Sequence, residues 1–202
     1  AGTITFTRDD RSMPLGGKRP YAICAAGIGR TFQNIRLFKD LTVLDNVVIA
    51  MQQNRRYPLT ASFFRLPPFA KAEAEIRAES LELLRIMHLD AKADELARNL
   101  PYGDQRHLEI ARALATRPTL LLLDEPAAGM NPAETTQLSE LIAWLRTEFK
   151  LTILLIEHDM TLVMRICERI YVLDHGVIIA TGTAPEVQKN PKVIEAYLGE
   201  EA

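Results

Sequence analysis

The feature that most constrains the fold is the leucine run over residues 120–123, which leads directly into Asp124, Glu125 and Pro126. Four consecutive leucines predict a strand covered on both faces, as in a parallel sheet enclosed by helices. Ligands of open α/β folds bind where such strands end. One carboxylate there can hold hydrated Mg²⁺, and a second can orient or deprotonate a water that attacks a phosphate. A core strand followed by an acidic helix cap is the structural alternative.

Gly103 marks a second candidate element for binding phosphate. It lies in the segment 100–106, ahead of a predicted helix over residues 107–115. A glycine loop that leads into a helix N-terminus offers free backbone N–H groups and the positive end of the helix dipole to an anion such as phosphate.

Two polar side chains follow other apolar runs. His158 comes after the run 151–156, and Gln33 comes after a short candidate strand over residues 27–31. Taken alone, a histidine after a strand is usually structural and a glutamine is usually a solvated polar residue. Their order relative to the carboxylate pair is what favours a functional interpretation.

The order of these segments resembles the Q-loop, signature helix, Walker B strand, D-loop and switch histidine of ABC-type ATPases. Residues 102–112, 124–132, 156–160 and 190–199 resemble, in more detail, the ATP-binding subunits of branched-chain amino acid importers. The resemblance covers the whole chain. It implies an α/β fold of the P-loop NTPase (RecA-like) type, with a mostly parallel sheet and a helical ABC-specific lobe.

One element of that family has no counterpart in these residues. A P-loop needs the pattern G-x-x-x-x-G-K-[ST], and the nearest candidate is the segment 16–18. Arg19 replaces the hydroxyl residue there, and Ser12 replaces the first glycine. In the family the P-loop lies shortly before a segment similar to residues 2–6, and this chain begins with Ala1. We therefore expect an N-terminally truncated ATPase that lacks the P-loop, its strand and its helix.

The resemblance implies a catalytic role for each matching side chain, with ATP and Mg²⁺ as cofactors. Glu125 would be the general base, a role compatible with helix capping. His158 would contact the γ-phosphate and register its presence. Gln33 would ligate Mg²⁺ or the lytic water through its amide oxygen, at the hinge to the helical lobe. Asp124 would hold Mg²⁺.

The resemblance also implies nucleotide contacts across a head-to-tail dimer. The residues in this set are Tyr102, Gly103, Asp104, Gln105 and Asn131. Asn131 occupies the D-loop position, where it would cross the dimer interface. An Asn-Pro turn that opens the next helix explains Asn131 equally well.

The signature segment departs from the family pattern at two positions. Pro101 replaces a serine whose hydroxyl would meet the γ-phosphate, and Asp104 replaces a neutral amide. A negative charge near phosphate costs free energy unless Arg106 or another cation offsets it. We expect contact with the partner's nucleotide to be weakened rather than abolished, since Gly103 and the helix dipole remain.

Composition excludes several other classes of protein. With 24 basic and 26 acidic residues among 202, the net charge of −2 favours neither nucleic acid nor an anionic bilayer. Cys24 and Cys167 are too few for a disulfide framework. No apolar stretch approaches the ~20 residues of a membrane span. A protein of this kind that works at a membrane must be held there by a partner.

Three segments are predicted along the chain. Residues 1–34 hold short strands up to the Q-loop, 35–115 form the helical signature lobe, and 116–202 return to alternating strands and helices. Within them, Thr42 is predicted to cap a helix over residues 43–51.

Two further elements follow from sequence patterns. Residues 71–89 are predicted to form a helix with Ile76, Leu83, Leu84 and Met87 on one face. Residues 172–178 are predicted to form a hairpin that turns at His175 and Gly176.

The family resemblance implies several partners. These are a second ABC ATPase subunit, transmembrane permease subunits at the cytoplasmic face of the membrane and, indirectly, a substrate-binding protein, with no nucleic acid. The cargo would be leucine, isoleucine, valine or a related amino acid. Candidate side chains for the permease-docking groove are Phe38, Phe63, Phe64 and Phe69, although such aromatics are at least as often part of the core of the lobe.

Two rival functions compete with the importer hypothesis. A soluble ABC ATPase that acts on ribosomes or DNA would carry basic clusters or long coiled-coil inserts. A non-catalytic ABC-domain fragment, unable to bind ATP alone, is consistent with the missing P-loop motif, and the isolated 202-residue chain is expected to be inactive.

Overall fold

The structure, a computed structural model, describes residues 2–53 and 67–198. At the N-terminal end, β1 (Thr5–Arg8) pairs with β2 (Arg11–Pro14) as an antiparallel hairpin. Helix α1 (Pro20–Ala25) follows and leads into β3 (Ile28–Arg30).

The central sheet places the leucine run in its middle strand. Strand β4 (Leu120–Asp124) pairs in parallel with β3 on one side and with β5 (Thr152–Ile156) on the other. This confirms the predicted parallel sheet. The three strands have the same direction, so the residues that follow them lie at one edge of the sheet.

Burial of this sheet differs from the prediction for the leucine run. Leu121 and Leu123 are fully buried, but Leu120 and Leu122 are only partly covered, and Leu154 and Ile156 on the neighbouring strand are 54% and 55% exposed. Complete coverage on both faces was therefore wrong for the described residues. Side chains alternate between the faces of a strand, and the main apolar core lies against one face only.

Between β3 and β4, the described residues form α2 (Val43–Gln52), α3 (Pro67–Ile86), two single 3₁₀ turns, Asp90–Lys92 and Ala97–Asn99, and one further helix, α4 (Tyr102–Ala115). The predicted cap of α2 is confirmed, because Thr42 Oγ1 accepts the N–H of Asp45 at 3.0 Å. The predicted apolar face of α3 is confirmed as well, since Ile76, Leu83, Leu84 and Met87 are all buried.

Helix α3 begins and ends earlier than predicted. Prolines are tolerated in a first helical turn, which allows the helix to begin at Pro67. Its C-terminal end is set by His88, whose backbone is left-handed with φ +58°.

Helix α4 (Tyr102–Ala115) also begins earlier than predicted. Gly103 therefore lies in its first turn and not in a loop before it. The helix opens without a side-chain cap at Pro101, and the first turn is closed by the N–H of Gln105, which donates to the Pro101 carbonyl at 3.0 Å.

The C-terminal part alternates helices and strands: α5 (Pro132–Glu148), β5, α6 (Met160–Ile166), β6 (Ile170–Asp174), β7 (Val177–Gly182), α7 (Ala184–Gln188) and α8 (Pro191–Leu198). The predicted hairpin turn is confirmed, with φ +46° at His175 and +79° at Gly176. In the part of the chain that is described, no helix has the length and apolar character needed to cross a bilayer.

One large apolar core joins the helical segment to the central sheet. It includes residues from Val43 to Leu162, and a smaller cluster packs around the hairpin of β6 and β7. The division into segments at residues 34 and 115 stays a prediction.

Candidate active site

The carboxyl edge of the central sheet brings three predicted site residues together around a fourth, Glu125. Gln33 Nε2 donates to Glu125 Oε2 at 2.8 Å, and His158 Nδ1 lies 3.8 Å from the same oxygen. Asp124 precedes Glu125 as the last residue of β4. Side chains separated by as many as 125 positions therefore form one cluster, as the sequence predicted.

The backbone at Glu125 explains how its carboxylate reaches this cluster. Its φ is +44°, a left-handed conformation that costs a non-glycine residue on the order of 1 kcal/mol. Its N–H donates to the Ile156 carbonyl at 2.9 Å, which ties the turn to the end of β5. The next helix begins seven residues later, at Pro132, with Asn131 as its cap. Helix capping by Glu125, the structural alternative, is therefore wrong.

Glu157 is a site residue that the sequence interpretation did not single out. Its side chain is 1% exposed and accepts two backbone N–H groups, from Ala127 at 2.8 Å and from His158 at 3.2 Å. It therefore fixes the turn after Glu125 and the residue that carries the imidazole. A carboxylate directly after an apolar strand was the available signal.

Asp124 has the chemistry of a magnesium ligand and a cation already beside it. Its Oδ2 accepts from Arg30 Nη2 at 2.8 Å, and its side chain is 23% exposed. Within residues 2–53 and 67–198, no three carboxylate, imidazole or thiol side chains converge as a ready-made metal site. Mg²⁺ commonly binds through one or two protein oxygens, with phosphate and water as its other ligands, so Asp124 and the amide oxygen of Gln33 fit that ion.

The charge of Asp104 is offset by Lys92. The Lys92 ammonium donates to the Asp104 carboxylate, and this contact raises the pKa of Lys92. The prediction that Arg106 could offset it was wrong, and the alternative of another cation holds. Arg106 has no exposed surface and pairs with Glu109 at 2.8 Å.

The first turn of α4 leaves an accessible surface at Tyr102 and Gly103. A Cβ built on Gly103 would meet nothing within 4 Å among the described residues, and Tyr102 is 46% exposed. Gln105 uses its amide N–H internally, donating to the Leu100 carbonyl at 2.8 Å. The Tyr102 ring lies next to Gly129, where an added Cβ would be 3.6 Å from Cε1. The signature turn therefore packs beside the loop that follows Glu125.

Asn131 is the cap of α5. Its Oδ1 accepts the N–H groups of Ala133 and Glu134, both at 3.0 Å, and Glu134 Oε2 accepts the Asn131 N–H at 2.9 Å. This reciprocal pattern is a capping box. The alternative that Asn131 opens the next helix is therefore confirmed, and its role at a dimer interface stays a prediction.

The predicted docking aromatics fall in two groups. Phe38 is 47% exposed, with the Arg112 guanidinium 4.8 Å from its ring centroid, whereas Phe69 is half-buried. Phe63 and Phe64 lie outside the described residues, as does Gly199 of the C-terminal resemblance.

Comparison with known proteins gives matches along the whole chain. The ABC transporter family matches residues 1–128, and the branched-chain amino acid ATP-binding cassette transporter family matches residues 177–202. The high-affinity branched-chain amino acid transport ATP-binding protein LivG of Escherichia coli K12 is 47% identical, over 98% of this chain and 76% of its own length. The corresponding protein BraF of Pseudomonas aeruginosa is 46% identical, over 92% and 73%.

Solved structures agree with these matches. An ATP-binding cassette of an ABC transporter in its ADP conformation superimposes with a TM-score of 0.75 at 30% identity, covering 95% of this chain and 78% of that one. A nucleotide-free cassette gives 0.74 at 31% identity, covering 93% and 75%.

The fold and the cluster at the sheet edge define an ATP-binding cassette of the P-loop NTPase class, and the chain belongs to the ABC transporter family. Within that family it is of the type found in branched-chain amino acid importers, whose ATPase activity is coupled to transport. The predicted family, fold class and ATPase class are confirmed.

Proposed function

We propose that this chain is part of an ATPase that hydrolyses ATP at a site shared by two cassettes and so powers uptake of branched-chain amino acids through membrane-spanning partners. The convergence of Gln33 and His158 on Glu125, beside Asp124, is the observation that carries the proposal. The names of the relatives supply the cargo.

Glu125 is the general base of this mechanism. Its carboxylate, 27% exposed, takes the proton of a water whose oxygen then attacks the γ-phosphorus, while the oxygen that bridges to ADP leaves with its electron pair. Gln33 Nε2 donates a hydrogen bond to Glu125 Oε2, which restrains the carboxylate at the edge of the sheet. Left-handed backbone and the bond to Ile156 hold the residue in place before substrate binds.

The neighbouring side chains hold charge around the γ-phosphate. Asp124 and the amide oxygen of Gln33 would hold Mg²⁺, which when bound neutralises charge on the phosphoryl oxygens. His158, 73% exposed, is free to turn from Glu125 toward the γ-phosphate. Arg30 would then have to share Asp124 with the metal.

The first turn of α4 would face the nucleotide of the partner cassette. Gly103 has open space beside its Cα, so a phosphate can approach the backbone N–H groups there. The Lys92 ammonium compensates the charge of Asp104 at this surface. Tyr102, Gln105 and the more distant Asn131 complete the proposed contact set.

Permease subunits would hold the cassette at the cytoplasmic face of the membrane. The exposed ring of Phe38 and the Arg112 cation above it are the described candidates for that contact. A substrate-binding protein would act indirectly, through the permease.

The test is the E125Q variant in the full protein assembled with its partners. A general base contributes about 10²–10⁴-fold, so ATP turnover should fall by at least ~100-fold while ATP binding persists and the dimer becomes trapped. E148Q makes the same change at an exposed acid on α5 and should leave turnover unchanged. Normal turnover in E125Q would remove Glu125 as the base. Failure of the unaltered protein to bind ATP would instead favour the non-catalytic alternative.

A further inference from the structure

The buried charge pair Arg106–Glu109 is not explained by the mechanism above. Their side chains are 0% and 5% exposed, and Arg106 Nη1 donates to Glu109 Oε2 at 2.8 Å. Replacing such a pair with apolar residues of similar volume is often neutral or stabilising, because desolvation offsets the attraction. The free energy of unfolding alone is therefore a weak explanation for two charged side chains on the buried face of α4.

Four further hydrogen bonds of the pair reach the backbone of residues 32–36, the segment that carries Gln33. Arg106 donates to the carbonyls of Phe32 at 2.7 Å and Gln33 at 3.0 Å. Glu109 Oε1 accepts the N–H groups of Phe32 at 3.3 Å and Arg36 at 3.2 Å. Two side chains on one helix thus fix four backbone groups of a segment more than 70 positions away.

The same pair is linked to the accessible start of α4. Arg106 Nη2 also donates to the Tyr102 hydroxyl at 3.1 Å, one residue before Gly103. On the other side, Gln33 Nε2 donates to Glu125. A continuous series of contacts therefore runs from the signature turn through Arg106 to the proposed general base of the same chain.

We propose that Arg106 and Glu109 are positioning residues that hold Gln33 against Glu125. The inference rests on the proposed function.

The first experiment measures hydrogen exchange of the backbone amides of residues 31–37 in the full protein. E109Q keeps the side-chain volume but places an amide N–H₂ where a carboxylate oxygen accepted hydrogen bonds. We expect at least tenfold faster exchange in this segment and no comparable rise elsewhere. E140Q is the matched control, because it breaks an exposed pair with Arg165 at 2.9 Å. Unchanged exchange in E109Q, or a rise spread over the whole chain, would overturn the positioning role.

The second experiment separates positioning from stability. The double variant R106M/E109L replaces the pair with apolar side chains and leaves the four backbone groups of residues 32–36 without these partners. In the assembled transporter we expect a folded variant with a kcat at least tenfold lower and a KM for ATP within twofold. A kcat within twofold in this folded variant would make the pair merely structural.

The two experiments fail independently of the proposed function. If the unaltered assembly shows no ATP turnover, the proposed function fails, whereas hydrogen exchange still tests whether Glu109 holds the Gln33 segment. If R106M/E109L does not fold, the comparison of E109Q with E140Q decides alone.

Discussion

Replacing Asn131 distinguishes its helix-capping role from a role across a dimer interface. In N131A the two bonds to the N–H groups of Ala133 and Glu134 are lost. The bond from the Asn131 N–H to the Glu134 carboxylate involves the backbone and survives. Half of the capping box therefore remains, and the loss should be about 1 kcal/mol in the free energy of unfolding.

The control is N131D, which keeps the accepting oxygen. Aspartate caps helices about as well as asparagine, and its charge interacts favourably with the helix dipole. For a chain of this size, 1 kcal/mol corresponds to a Tm change of about 2–4 °C. We therefore expect Tm to fall by this amount in N131A and to stay level or rise in N131D.

Thermal unfolding and ATP turnover, both measured at pH 7.5, decide between the roles. If Asn131 only caps α5, N131A should hydrolyse ATP at the unaltered rate at temperatures well below its Tm. A loss of turnover larger than the loss of stability explains would support a contact across the interface. An unchanged Tm in N131A, or equal falls in N131A and N131D, would refute the capping argument.

Two further outcomes follow from titratable groups near α4. Burial lowers the pKa of His107, so the unfolded chain binds the proton more readily and stability is lost as pH falls below about 6.5. The H107N variant should therefore show a smaller difference in Tm between pH 7.5 and pH 5.0 than the unaltered chain, and substitution of the exposed His175 by asparagine is the control. An equal difference in H107N and the unaltered chain would contradict the burial effect. The K92M variant removes the cation beside Asp104, so ATP turnover should fall more at low salt than at high salt. Adding D104N to K92M should restore the turnover. Unchanged turnover in K92M at every salt concentration would exclude this charge compensation.

The sheet and its functional edge were predictable from local signals. A leucine run that ends in carboxylates identifies a strand and the edge at which it ends, and the order of Gln33, the carboxylates and His158 indicated the rest. The start of α4 was not predictable in the same way, because no side chain caps it and Pro101 contributes only its carbonyl.

Long-range charge contacts account for the other differences. The partner of Asp104 lies 12 positions away on a 3₁₀ turn, and the two carbonyls that accept hydrogen bonds from Arg106 lie more than 70 positions away on the Gln33 segment. The sequence did contain a local signal for the buried contacts of Arg106. Arg106 and Glu109 are spaced i, i+3 on the face of α4 that also carries Ile110, and charges on an apolar stripe require buried partners.

The positive φ at Glu125 limits which substitutions can report on chemistry. Valine, isoleucine and threonine would strain the turn severely, since β-branched residues rarely adopt this conformation. Alanine would keep the strain and lose the hydrogen bond from Gln33, whereas glycine would relax the turn and free the adjoining loop. Saturation mutagenesis of Glu125 would therefore rank variants by how well they adopt the positive φ as well as by their ability to accept a proton. Glutamine is the replacement that removes the proton-accepting carboxylate and leaves the backbone requirement unchanged.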